Sequence, residues 1–473
     1  MNIKILIIED DTVFFDALSE LVNDVCVSAS ITHVSNQEHA FELIERCVFD
    51  LILLDLSIPK YRESFDDHPE YGHEVFTTAR RVATGTPIIV LTGSTAEPFI
   101  ASMLKLSEST DIWGSGKRHQ LVSFHAKHKL DSFHEVLSEY ARDFEELKNV
   151  ELERGGIELD ESETRLIRIF ARKFGGVRCS VGNVPGGLSG AKVLKLTTTK
   201  DTGDVVHRTI CKLGASEKIK IEDERFNRHI VTLPPQATPR KLMLLEHGAK
   251  NKSGIFYSLA EDSDLNAFSP TSMSENSDYL IGSLSSLMSN WCATAQSRKR
   301  ISDVRRVLLT DEKADVLISN NSLEWAKHFE SNHIQLKWGV SHGDLHGFNI
   351  LVSESGMPLL IDYGDTQEGP HSLDPITLEL SLLYHTDAPC RGSGWPTKQQ
   401  ARNWIDLSQY LENCPFPYFV KKCREWTGDV SAGEREILAV PYSYLLRQLK
   451  YPEVDRELTI AFLEGIRDCY NKT

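Results

Sequence analysis

The chain has 473 residues, 41% hydrophobic and 25% charged, with 52 Lys+Arg against 68 Asp+Glu and a formal net charge of −16. At roughly 100–200 residues per domain this predicts two to four domains of ordinary globular composition, and the negative charge argues against broad electrostatic binding to nucleic acid or an anionic membrane surface. No apolar run approaches the roughly 20 residues that span a bilayer. The short run Ile5–Ile8 meets Glu9, Asp10 and Asp11 at once, which is too short and too acidic for a signal peptide, so a cytoplasmic protein is expected. Nine scattered cysteines with no C-x-x-C pair predict reduced, buried thiols.

Apolar, strand-like runs lie at 4–8, 49–56, 87–92 and, more weakly, 120–126, with a short strand at 32–35. Helical periodicity occupies 12–25 and 38–48. Continuous apolar strands alternating with helices predict βαβ units and a parallel sheet. Residues 132–154 continue one charged helical pattern, read as a last helix running into a linker helix until Gly155-Gly156, and a further helix is predicted at 161–174. Strand-like sequence then fills 176–213, followed by a helix at 216–231 and strands near 241–246 and 254–259. A surface loop is predicted at 269–277. From 276 onward the pattern is mostly helical, interrupted by loop and strand at 339–366. Strands first and helices after predict an α+β unit. The tryptophans 395, 404 and 426 and the Tyr-rich stretch 441–451 read as packing.

Glu9 and Asp10 close the first predicted strand, Asp55 the third and Thr92 the fourth, with Lys127 or Lys129 after the fifth. In an open doubly wound sheet those strand ends form the ligand crevice. Three converging carboxylates repel one another, and a hard cation such as Mg²⁺ relieves that. One carboxylate then attacks phosphorus, while a hydroxyl and an ammonium hold the transferred oxygens. The segments IIEDD (7–11), LLDLSIP (53–59), VLTGS (90–94) and FHAKHK (124–129) resemble the response-regulator receiver family. The resemblance implies that Asp55 is the phosphoryl acceptor, that Glu9 and Asp10 bind metal together with Asp55 and the Ser57 carbonyl, and that Thr92 is the switch hydroxyl. Pro59 sits where that family usually has proline. Phe124, three before Lys127, favours Lys127 as the phosphate-contacting lysine; the spacing to Phe133 and Val136 favours Lys129.

The segment SHGDLHGFNILV (341–352) is followed by MPLLIDYGDT (357–366): Asp344, then Asn349, then a strand, then Asp362. Phosphoryl transfer needs a carboxylate near the acceptor hydroxyl and oxygen ligands for Mg²⁺, and these residues suit those roles. Gly186, Gly187, Ser189 and Gly190 in VPGGLSGAKV let backbone N–H groups approach phosphate, though a tight hairpin has the same composition. Lys212 lies in an apolar strand and calls for a partner, available as Glu222 or Glu224. His342, Asp344 and His346 also alternate as metal ligands on a strand face would, but that leaves Asn349 unexplained.

The order glycine loop, lysine, glutamate, H-G-D-x-x-x-x-N and D-Y-G resembles the kinase-like fold, most closely its aminoglycoside and choline phosphotransferase branch. The resemblance implies ATP and Mg²⁺ as cofactors, Asp344 as catalytic base, Asn349 and Asp362 as Mg²⁺ ligands, and Lys212 as a nucleotide-phosphate contact. It also implies a supporting role for His342 and His346, a brace for the catalytic loop at Asp374, and an adenine-binding hinge after 254–259. The fold expected is therefore an α/β doubly wound parallel sheet, the flavodoxin-like receiver (1–140), a helical linker (141–174), and an α+β two-lobed kinase-like domain (175–473, lobes about 175–262 and 263–473). The function expected is a receiver-regulated, ATP-dependent phosphotransferase whose receiver is phosphorylated by a sensor histidine kinase or phosphotransfer protein. Its acceptor is a small-molecule or protein hydroxyl. No nucleic-acid or membrane partner is expected, and a homodimer is compatible. The alternatives are a catalytically silent ATP-binding switch or scaffold, and an antibiotic-modifying kinase.

Overall fold

In this computed structural model the described residues are all except 1, 27, 63, 65, 94–107, 185–190, 260–264, 275 and 293–294. The chain divides into two compact units, Met1–Ile219 with Lys241–Leu259, and Lys220–Arg240 with Ala260–Thr473.

The first unit opens with a five-stranded parallel sheet in the order β2-β1-β3-β4-β5: β1 (Ile3–Ile8), β2 (Ala29–Val34), β3 (Leu51–Asp55), β4 (Ile88–Thr92) and β5 (Val122–Ala126). β3 is buried along its whole length, as a central strand covered on both faces must be. Helix α1 (Thr12–Val25) starts where the sequence predicts, because the Asp11 carboxylate accepts the N–H groups of Val13 and Phe14 at 2.9 and 3.1 Å. Helix α2 spans Gln37–Arg46 and α3 spans Pro69–Val82. Gly72 of α3 lies so close to the turn after Asp55 that an added Cβ would stand 2.2 Å from the Leu56 carbonyl oxygen.

Helix α4 (Leu130–Leu147) ends earlier than its charge pattern predicts. Residues 148–150 tighten into i→i−3 turns, Val150 is buried, and the Glu151 N–H donates to the Val177 carbonyl at 2.8 Å. Glu151–Glu153 (β6) thus becomes the edge of a second sheet, parallel to β7 (Arg178–Asn183). This sheet runs β6-β7-β8-β9-β11-β10, with β8 (Lys192–Thr199), β9 (Val205–Ala215), β10 (Arg240–Leu245) and β11 (Lys252–Leu259). Residues 141–174 therefore hold a helix end, an edge strand and a second helix, α5 (Glu161–Lys173).

Helix α5 is buried on nearly every side, including Leu166, Ile167, Ile169, Phe170 and Ala171. One apolar cluster runs from Ile5, Leu53 and Phe144 through those residues to Leu194, Leu213 and Phe256, and Phe170 stacks on Phe256 with ring centroids 4.2 Å apart. Inside that core Arg165 makes a bidentate pair with Asp50, at 2.5 and 2.7 Å. Asp50 also accepts the Lys4 N–H at 2.8 Å, and Glu161 contacts Arg165 and the Lys4 ammonium. Burial pulls the Arg165 pKa down, but the two carboxylates outweigh it and hold the guanidinium above its ordinary value. At the other end Arg172 donates to the carbonyls of Trp113 and Asp143. The turn between β10 and β11 meets the first sheet's side as well: the Gly85 N–H donates to the Lys250 carbonyl and the Gly248 N–H to the Gly85 carbonyl.

The second unit is mainly helical. It carries two small antiparallel sheets: β12 (Leu265–Asn266) with β15 (Ile350–Val352) and β16 (Pro358–Leu360), and β13 (Gln296–Arg300) with β14 (His333–Ser341) and β17 (Gln367–Pro370). Around them pack α7 (Ser277–Leu287), α8 (Leu373–Tyr384), α9 (Pro417–Val430), α10 (Glu434–Gln448) and α11 (Arg456–Tyr470). The segment predicted as a surface loop, 269–277, turns repeatedly and buries Ser272, Met273 and Ser277. Trp395, Trp404 and Trp426 are core residues, and Trp404 donates to Glu379 at 2.8 Å. Five cysteines are buried, whereas Cys47 and Cys292 are exposed, contrary to the expectation of burial. No helix among the described residues is long and apolar enough to cross a membrane.

Arg165→Ala strands a buried carboxylate and should cost about 3–5 kcal/mol, whereas the double variant Asp50→Leu/Arg165→Met should cost less than either single change. Urea unfolding of the three variants measures this; a single-variant loss no larger than that of a surface pair would contradict it.

Candidate functional site

The carboxyl ends of β1, β3 and β5 bring four predicted residues together. One ligand oxygen each of Glu9, Asp10 and Asp55 lies within 4.8 Å of the others. The Lys127 ammonium stands 2.8 Å from Asp55 Oδ2 and 2.8 Å from Glu9 Oε2, over the Phe14 ring at 4.6 Å. Lys129 sits past the strand, and its carbonyl accepts from His125 Nε2 at 2.8 Å. Burial and the neighbouring Asp55 push Glu9 up to about 7, and burial also raises Asp10 and Asp55. Three oxygens this close, held at that cost, form a donor set that suits a hard divalent cation. Thr92 closes β4, and its side chain lies outside the described residues.

In the second unit β14 stops at Ser341, so His342, Asp344 and His346 follow a loop and share no strand face. Gly343 adopts φ +82°, and an added Cβ would lie 2.4 Å from the Asp365 carbonyl oxygen. The buried Asp374 carboxylate, in the first turn of α8, accepts the N–H groups of His342 at 2.8 Å and Gly343 at 3.0 Å. His342 Nε2 donates to the Ile361 carbonyl at 3.1 Å. The loop is therefore fixed at its base, and Asp344 projects half-buried from it. Asn349 donates its side-chain amide to the Asp344 carbonyl at 2.9 Å. Asp362 follows β16 at φ +62°, and its Oδ1 accepts the Gly364 N–H. His346 is buried, lies 3.8 Å from Asp344 Oδ2, and is pushed down to about 4 by burial, so its imidazole is neutral near pH 7.

Of the other predicted residues, Glu222 acts electrostatically on Tyr363, next to Asp362. Lys212 is buried in β9 of the first unit. Glu222 is buried and Glu224 exposed on helix α6 (Ser216–Arg228). Gly186, Gly187, Ser189 and Gly190 lie outside the described residues, as does the segment after Leu259 where the hinge is predicted.

Sequence reasoning missed Arg447 and Asp365. Arg447, on α10, places Nη1 3.4 Å from Asp344 Oδ1 and Nη2 3.6 Å from Asp365 Oδ2. It falls in the Tyr-rich stretch read as packing, and the 103 residues to Asp344 leave no local signal.

Residues 5–112 match the family model described as the response regulator receiver domain, and that part of the chain is a receiver domain. It is similar to a signal receiver domain from Vibrio parahaemolyticus (20% identity, TM-score 0.22, covering 31% of this chain and 98% of that one). It is also similar to the receiver domain of a Pseudomonas aeruginosa sensor histidine kinase with a magnesium ion coordinated in its active-site cleft (20% identity, TM-score 0.22, covering 30% and 99%). A longer stretch is similar to an amicoumacin kinase in complex with AMP-PNP, Ca²⁺ and Ami (10% identity, TM-score 0.36, covering 62% of this chain and 88% of that one). No curated protein sequence is detectably similar to the chain.

Asp374 supplies a pH prediction. Burial outweighs its two N–H donors and pushes it from 3.8 up to about 6. Between those values the native state keeps a proton that the unfolded chain has lost, so this group's contribution to stability falls as pH rises through that window. Asp374→Asn should remove that slope while lowering stability at pH 7 by about 1–3 kcal/mol through the mismatched amide. Urea midpoints at low and neutral pH test this; an unchanged slope in the variant contradicts it.

Proposed function

We propose that the receiver accepts a phosphoryl group on Asp55 and thereby controls an ATP- and Mg²⁺-dependent phosphotransferase, of the aminoglycoside and choline phosphotransferase-like class, centred on Asp344. The observation that carries the reading is the braced loop: the Asp374 carboxylate holds two consecutive N–H groups so that Asp344 stands clear of the loop, with Asn349 tied to its carbonyl. In the step proposed, the acceptor hydroxyl oxygen bonds to the terminal phosphorus of ATP, the bond from that phosphorus to the ADP oxygen breaks, and the hydroxyl proton goes to the Asp344 carboxylate. Asn349 and Asp362 would hold Mg²⁺, which when bound offsets charge on the phosphate oxygens. Lys212, buried in β9, is the proposed phosphate contact. Glu9, Asp10 and Asp55 would hold the receiver's cation, and Lys127 would pair with the phosphoryl oxygens on Asp55. A sensor histidine kinase or phosphotransfer protein is the proposed donor.

Control by the receiver is supported by the continuous core. β1, β3 and α4 share apolar contacts with α5, and α5 shares them with the second sheet. New negative charge at Asp55 draws Lys127 from its bridge to Glu9, and the strain falls on strands that pack on α5.

Incubation with radiolabelled ATP and Mg²⁺, with and without acetyl phosphate, tests both parts. Asp344→Asn should lower turnover about 10²–10⁴-fold with little change in ATP affinity. Asp55→Ala should abolish any response to acetyl phosphate. Full turnover by Asp344→Asn removes the catalytic assignment, and an unaltered acetyl phosphate response in Asp55→Ala removes the regulatory one.

A further inference from the structure

Asp344 has two unlike oxygens. Oδ1 faces the Arg447 guanidinium at 3.4 Å, and Oδ2 lies 3.8 Å from His346 Nε2. Arg447 is nearly buried, with 11% of its side chain exposed, and it comes from α10, a helix remote in sequence from both loops. Its second terminal nitrogen reaches Asp365, on the loop that follows Asp362. Those two loops are already pressed together: Gly343 has no room for a Cβ against the Asp365 carbonyl, and Thr366 donates its hydroxyl to the His342 carbonyl at 3.5 Å. One planar fork thus spans a carboxylate on each loop. Among the described residues Arg447 is the permanently charged group that contacts Asp344.

Resting on the reading of Asp344 as the base, we infer that Arg447 is a positioning residue: it occupies Oδ1, fixes the carboxylate plane, and leaves Oδ2 to receive the acceptor proton. Arg447 takes no part in the bonds made or broken. A side chain free to rotate about its last torsion would present either oxygen and spend much of its time misaligned, and misplacement of a reacting group is expensive in rate.

The test is steady-state turnover of Mg-ATP with water as acceptor, in the full-length chain. Arg447→Ala should lower kcat at least about tenfold while the KM for ATP stays within about threefold, the pattern of a lost transition-state interaction. Arg447→Lys should keep more activity than Arg447→Ala. Added guanidinium ion should restore part of the turnover of Arg447→Ala and none of that of Asp344→Asn. Wild-type kcat in Arg447→Ala beside an inactive Asp344→Asn overturns the inference. So does a loss accompanied by a parallel rise in KM with no response to guanidinium, which marks a clamp of the fold alone. If Arg447→Ala does not fold, as judged by thermal unfolding, Arg447→Gln carries the test by the same criteria. Wild-type turnover in Asp344→Asn instead removes the assignment of the base, and this inference with it.

Discussion

The first unit depends on one ion pair placed where apolar side chains would otherwise be required. Arg165 and Asp50 are both almost completely buried, 115 residues apart, and each would be costly alone. Paired bidentately, with Glu161 and the Lys4 N–H taking up remaining hydrogen-bonding capacity, they fix the rotation of α5 about its axis. On a helix buried on nearly every side, the pair adds a polar constraint on which face meets which sheet. The lysines of the second sheet complete it: Lys192 and Lys252 reach Glu163 at the helix start, at 2.6 and 3.0 Å.

The two candidate sites handle crowded negative charge differently. At the receiver, three carboxylates lie close together, two of them on the Lys127 ammonium, and burial, with the crowding of charge, raises their pKa values. Such a donor set suits a hard divalent cation. In the second unit the charges are spread along the loops. Asp374 is held by two backbone donors beneath the loop, and Asp344 and Asp365 are bridged by Arg447 above it.

What could be read from the sequence follows the reach of each signal. Helix α1 is legible because its apolar period and its Asp11 cap are both local. The receiver carboxylates are legible because each closes an apolar strand, and the topology of a parallel sheet gathers strand ends. The HGDLHGFN segment carries its spacing in one stretch, and the structure gives that stretch a braced loop. The end of α4 was not legible. Residues 148–154 continue the helical charge pattern, and it is the Val177 carbonyl, beside a strand distant in sequence, that accepts the Glu151 N–H and draws it into a sheet. Choosing between Lys127 and Lys129 likewise needs the third dimension, since two residues separate an ammonium in the pocket from a carbonyl on the rim. Arg165 and Arg447 are the extreme cases: an arginine in a helix gives no sign of being buried until its partner, more than a hundred residues away, is located.

The edge strand Glu151–Glu153 has a consequence for how such a chain can be rearranged. It begins four residues after α4 ends and is bonded laterally to Arg178–Ser180, so the receiver's final helix and the neighbouring sheet share a seam with no slack between them. Shuffling of domains requires a tether that can be cut without exposing anything, and here a cut on either side of α5 uncovers Leu166, Ile169 and Phe170 or opens a row of unpaired backbone groups. The receiver in this chain is therefore no detachable cassette. It can be exchanged for another only together with the helix beneath it, and substitutions on either side of that seam must be inherited together.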